Sequence, residues 1–166
     1  MLIMATLGIQ VLAATVYANL FEWLWHKHVY HGLGKRKKSW FSGHWRDHHR
    51  VVRKSKGSDL SYNNRLFVGK DPTLEAVQLF LAASLHLPLL PLVPAFVIAL
   101  YFHALMYFLL HRKSHLDPEW AKKYLPWHYD HHMGKNQDAN WCVTYPLWDH
   151  ILRTREHFIN KKLDRG

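Results

Sequence analysis

Twenty-two lysines and arginines occur in these 166 residues, yet none falls within residues 1–25 or 74–110. Twelve lie in 26–73 and ten in 111–166. This segregation explains a chain that is 49% hydrophobic and still carries a formal net charge of +10. Basic blocks that alternate with uncharged apolar stretches are the pattern of a membrane protein whose polar blocks face the cytoplasm. The same charge invites a nucleic-acid reading. It is set aside because the cations flank apolar spans, where lipid headgroups account for them.

The expected fold is all-α and integral to the bilayer, with about three apolar helices in a single domain over 1–166. Residues 2–25 are long enough to cross a hydrocarbon core of about 30 Å and read as a retained anchor, since no basic leader or small-residue cleavage pattern surrounds them. Residues 74–110 are too long for one span and hold Pro88, Pro91 and Pro94 at their middle. A proline removes a helical hydrogen bond and clashes with the preceding turn, so the stretch reads as a hairpin of helices over about 74–88 and 94–110. One span followed by a hairpin returns blocks 26–73 and 111–166 to the same face. Further helical stretches are expected around 119–132 and 147–158. Cys142, the single cysteine, excludes an internal disulfide.

Ten of the fifteen histidines form four clusters just outside the apolar segments: His26 and His31; His44, His48 and His49; His111 and His115; His128, His131 and His132. Neutral imidazole is the commonest protein metal ligand. Ten exceed what one ion accepts, so two ions are expected. Helical periodicity brings His111 to His115, and it gathers His128, His131 and His132 within one arc. It aligns His44 with His48 and turns His49 away, which suits two neighbouring ions. His26 and His31 are awkward at five residues apart. A helix end or bulge near Val29 rescues the pair; otherwise His28 stands in for His26. His86, His150 and His157 read as structural or solvated, and His103 as structural or supporting. An all-nitrogen set suits Fe, Zn, Cu or Ni, and structural zinc needs only four ligands and favours cysteine. A redox pair of irons activating O2 fits ten histidines beside lipid.

These residues resemble the fatty acid hydroxylase/sterol desaturase superfamily of membrane non-haem di-iron enzymes. The segment Glu22-Trp-Leu-Trp-His26-Lys-His-Val-Tyr-His31 is similar to the first histidine box, and His44-Trp-Arg-Asp-His48-His49 to the second. His111-Arg-Lys-Ser-His115 and Trp127-His128-Tyr-Asp-His131-His132 are similar to the third and fourth. Asn140-Trp-Cys-Val-Thr144-Tyr-Pro-Leu-Trp148-Asp149 resembles the tail that follows them, with Cys142 where glycine is usual. The resemblance implies an O2-dependent oxidoreductase that hydroxylates or desaturates a lipid, with two irons held by the ten clustered histidines. It implies a fatty acyl or sphingolipid chain as substrate, or else a sterol or carotenoid. It also implies a separate electron donor, cytochrome b5-like or ferredoxin-like. A non-enzymatic membrane metal-binding protein is the competing class. Asp47, Asp130 and Asp149 are candidates to orient the imidazoles. Trp45, Trp127, Tyr129 and Trp141 are candidates to wall a lipid entrance or to anchor at the interface.

Overall fold

A computed structural model describes residues 2–64 and 70–158; parts of both polar blocks, 65–69 and 159–166, lie outside the described residues. Among the described residues the chain is all-helical and has no strand. Helix α1 (Leu2–Leu24) runs without interruption into a π-helical segment, Trp25–Leu33. A second π segment, His44–His48, leads into α2 (His49–Lys54). Helix α3 (Lys70–Ser84), a 3₁₀ turn at Leu87–Leu89 and α4 (Pro94–Leu116) form the hairpin. Short helices α5 (Pro118–Tyr124), α6 (Pro126–Met133) and α7 (Leu147–Ile151) follow.

Prolines set most of these boundaries. Pro88 would clash with the carbonyl of Ser84, so α3 stops at Ser84 rather than at 88. Pro94 starts α4, where a missing N–H costs nothing. No breaker follows Leu110, so α4 continues past the expected end and carries His111 and His115 within it. It stops before Pro118, and the Asp117 carboxylate accepts the Trp120 N–H at 3.1 Å to open α5. Pro126 divides the expected 119–132 helix in two. The helix expected over 147–158 ends at Ile151, and Arg153 has a φ of 56°.

Two helices, Ile3–Leu33 and Pro94–Leu116, are long and apolar enough to cross a membrane. They pack against each other through Ala14, Ala99 and Leu100, small or flat contacts that allow close approach. Ile3, Ile9, Leu12, Ile98, Phe102 and Leu105 point outward and are largely exposed. At 15 residues α3 is about 22 Å long, short of a full crossing. It lies against α4. The C-terminal ends of α1 and α4 meet at one end of the bundle, under a cap built from the remaining elements.

Candidate metal centre

The π segments resolve the awkward spacings. In a π-helix the backbone bond closes from i to i+5, so residues five apart share a face. Gly34 N–H donates to Val29 O at 3.0 Å, and His26 and His31 bring their ring centroids to 5.1 Å. His44 and His49 do the same at 5.0 Å. The bulge near Val29 is therefore present, and His28 is exposed against Trp23, away from the cluster.

Two sets of imidazoles result. His26, His31, His44, His49 and His131 place one nitrogen each within 4.8 Å of one another, and so do His48, His111, His115 and His132. Buried histidine groups of this kind can hold metal ions. His128 adjoins the second set, its Nε2 3.2 Å from that of His115. All ten clustered histidines thus meet at one place. The expected alignment of His44 with His48 is corrected: π geometry pairs His44 with His49 and sends His48 to the other set. Likewise His131 and His132 part company, because neighbouring helical residues diverge by about 100°. The sets adjoin, with His49 and His132 centroids 4.4 Å apart.

Hydrogen positions can be deduced from the outer partners. Nδ1 of His26 donates to Trp141 O at 2.6 Å, that of His131 to Ala139 O at 2.7 Å, and that of His115 to Gly57 O at 3.2 Å. His48 Nδ1 faces Asp59 Oδ2 at 2.8 Å, His111 Nδ1 faces Glu75 Oε1, and His31 Nδ1 faces Asp138 Oδ1 at 3.3 Å. With Nδ1 protonated, a neutral imidazole keeps a bare lone pair on Nε2. Yet Nε2 of His111 lies 3.0 Å from that of His115. Two facing lone pairs repel, and a cation between them removes the repulsion. Nε2 of His48 and both ring nitrogens of His132 are buried with no hydrogen-bond partner. The donor set therefore fits metal ions, with the outer partners holding each ring's tautomer and orientation.

Burial and mutual repulsion push His44, His49, His128 and His132 well below the usual imidazole range. Burial pushes His131 down to about 4. These rings are neutral near pH 7, the form that binds a metal.

The acids that orient the rings are not the expected ones. Asp47 is exposed and pairs with Arg50, and Asp130 pairs with Arg155 at 2.9 Å. Asp149 acts one step away. It accepts from the N–H groups of Trp141 and Cys142, each at 2.9 Å, and so holds the loop whose carbonyls engage His26 and His131. Asp59, Glu75 and Asp138 do the direct work. Glu75 carried a sequence signal, being a carboxylate inside an apolar helix; Asp59 and Asp138 carried none. The tail is clasped to α1 by Glu22, which accepts from Thr144 N at 3.2 Å, Thr144 Oγ1 at 3.0 Å and Asn19 Nδ2 at 2.7 Å.

Gly57 has a φ of 108°, and a Cβ there would lie 2.9 Å from Pro118 Cβ. Gly57→Ala is therefore expected to cost about 1–3 kcal/mol of stability. Displacement of its carbonyl from His115 should also weaken metal retention about tenfold or more. A chelator titration of both proteins checks this.

An apolar cleft of about 770 Å³, counted with its open mouth, lies between α1, α3 and α4 and reaches His26. Phe21, Trp25, Leu79, Leu100 and Tyr107 line it. His86 and His103 lie on its wall, bonded to Tyr17 and Thr15, and belong to neither metal set. A second cleft, about 450 Å³, reaches His44 and His48. Tyr30 and Gln78 border both clefts and are joined by a 2.6 Å hydrogen bond. The expected wall residues lie elsewhere: Trp141 packs on His26, His31 and His131, and Trp127 bonds to Val143 O.

No family model, curated protein or solved structure matches this chain.

Proposed function

We propose that the chain is a membrane-bound di-iron oxidoreductase that uses O2 to hydroxylate a lipid held in the cleft between α1, α3 and α4. The observation that carries this reading is the pair of adjoining imidazole sets, with opposed lone pairs on His111 and His115, beside an apolar cleft that reaches His26. Two irons bound there would supply the power to reduce O2 and attack an unactivated C–H bond. The balance is one C–H bond, one O2, two electrons and two protons, giving an alcohol and water. A separate cytochrome b5-like or ferredoxin-like protein delivers the electrons.

The chain's own residues do the rest. Carboxylates of Asp59, Glu75 and Asp138 and the carbonyls of Gly57, Ala139 and Trp141 orient the rings. The cleft positions an acyl or sphingolipid chain and excludes water from the reacting carbon. A sterol or carotenoid would occupy the same cleft. The basic blocks flanking the apolar helices support a site facing the cytoplasm.

Expression in a host with a compatible reductase tests this. The extracted lipids should contain a hydroxylated species that disappears with His128→Ala. Unchanged lipids, with metal still bound by the purified chain, would favour a non-enzymatic metal-binding protein.

A further inference from the structure

The two metal sets differ in how they reach the surface. In the second set, His48 and His111 lean on Asp59 and Glu75, whose side chains are 5% and 7% exposed. In the first set, His31 leans on Asp138, which is 52% exposed, and the Gln137 amide lies 2.8 Å from His49 Nδ1. Trp45 covers this side. Its ring centroid lies 4.6 Å from that of His31 and 5.2 Å from that of His49. Lys35 Nζ sits 4.6 Å above Trp45 and bonds to both Asp138 oxygens at 2.7 Å. Arg36, Lys37, Lys38, Arg46 and Arg50 are all exposed, and among these Arg50 pairs with Asp47.

We infer that this face, centred on Trp45, is where an acidic one-electron carrier protein docks and where electrons enter the site. The inference rests on the oxygenase reading above. The basic residues steer and orient an acidic partner. Electron tunnelling falls steeply with distance through space, and Trp45 fills that distance with one ring touching two imidazoles. Trp45 is a positioning residue, not a reacting one. Each docking event oxidises one reduced carrier by one electron and reduces the site by one. Two events supply the two electrons that the oxygenation consumes. A lipid headgroup surface would explain the cations but not the aromatic bridge to the first set.

Two measurements test the inference. The first uses the zinc-loaded full chain in phosphatidylcholine nanodiscs, which is redox-silent, titrated with an acidic [2Fe–2S] ferredoxin and with a soluble cytochrome b5 domain. Arg36→Gln/Lys37→Gln/Lys38→Gln should bind at least one of them roughly tenfold more weakly at low salt, with a shallower salt dependence. Unchanged affinity for both carriers, with lost adhesion to discs containing phosphatidylserine, would make the patch a headgroup surface and overturn the inference. The second follows reduction of the iron-loaded chain by stopped flow. Trp45→Ala should slow reduction by the carrier several-fold while leaving bound iron and dithionite reduction unchanged, and Trp45→Phe should restore part of the rate. A Trp45→Ala chain reduced by the carrier at the normal rate overturns the inference alone. A wild-type chain with no iron, or none that dithionite reduces, removes the oxygenase reading and this inference with it.

Discussion

Substituting His48 and His49 separately with alanine should remove different metals, although the two residues are adjacent in the chain. His48 belongs with His111, His115 and His132, and His49 with His26, His31, His44 and His131. Each single variant is expected to retain about one iron per chain where the parent holds about two. Pairing decides the matter. His48→Ala/His111→Ala removes two ligands from one set and should still retain one iron. His49→Ala/His131→Ala should behave alike. His48→Ala/His49→Ala strikes both sets and should retain almost none. Metal analysis of anaerobically purified chains reads the outcome directly, with circular dichroism confirming that helices persist. Loss of both irons from His48→Ala/His111→Ala would mean that the ten histidines form one inseparable site. All these variants should lose the lipid product, because a two-ion site works as a unit.

Acid is the second strong perturbation. In an unfolded chain an imidazole titrates near 6.5. In the folded metal-free chain His131 titrates near 4, because burial disfavours its charged form. His44, His49, His128 and His132 lie well below 6.5 for the same reason, with added repulsion from their neighbours. Protonation therefore favours unfolding. The stability from neutral burial is fully present above about pH 6.5 and is lost as pH falls toward the folded values. His131 alone accounts for roughly 3 kcal/mol across that window. The cap should loosen below pH 6 while the apolar helices persist. Near-ultraviolet dichroism of Trp141, packed on three of the rings, reports the cap. Bound metal competes with protons, so the loaded chain should move in the same direction at lower pH. Cap stability that stays flat between pH 7 and 5 would contradict the burial of neutral rings.

Much of this architecture is legible along the chain. The charge-free stretches mark the long helices, and Pro88 and Pro94 mark the hairpin, because a proline's effect on its own backbone is local. The ten histidines are legible as a group, since clustering needs only counting. Their partition is less so. A regular helix aligns His44 with His48, and only the π geometry at Trp25–Leu33 and His44–His48 reassigns the partners. No residue in those segments announces a π turn by itself. The supporting acids show a similar division. Glu75 is conspicuous within an apolar helix, whereas Asp59 looks like any loop aspartate until His48 is set 2.8 Å away.

What the sequence alone determined was an all-helical chain with apolar segments, clustered imidazoles at their ends and too many ligands for one ion. These follow from hydropathy, proline sterics and composition, which act residue by residue. Tertiary structure decided which imidazoles share a set, which carboxylates and carbonyls hold them, and that Trp45 packs over the first set. Those depend on contacts between residues as far apart as His26 and Trp141. Packing of the cap against the two long helices creates such contacts, and no local preference encodes them.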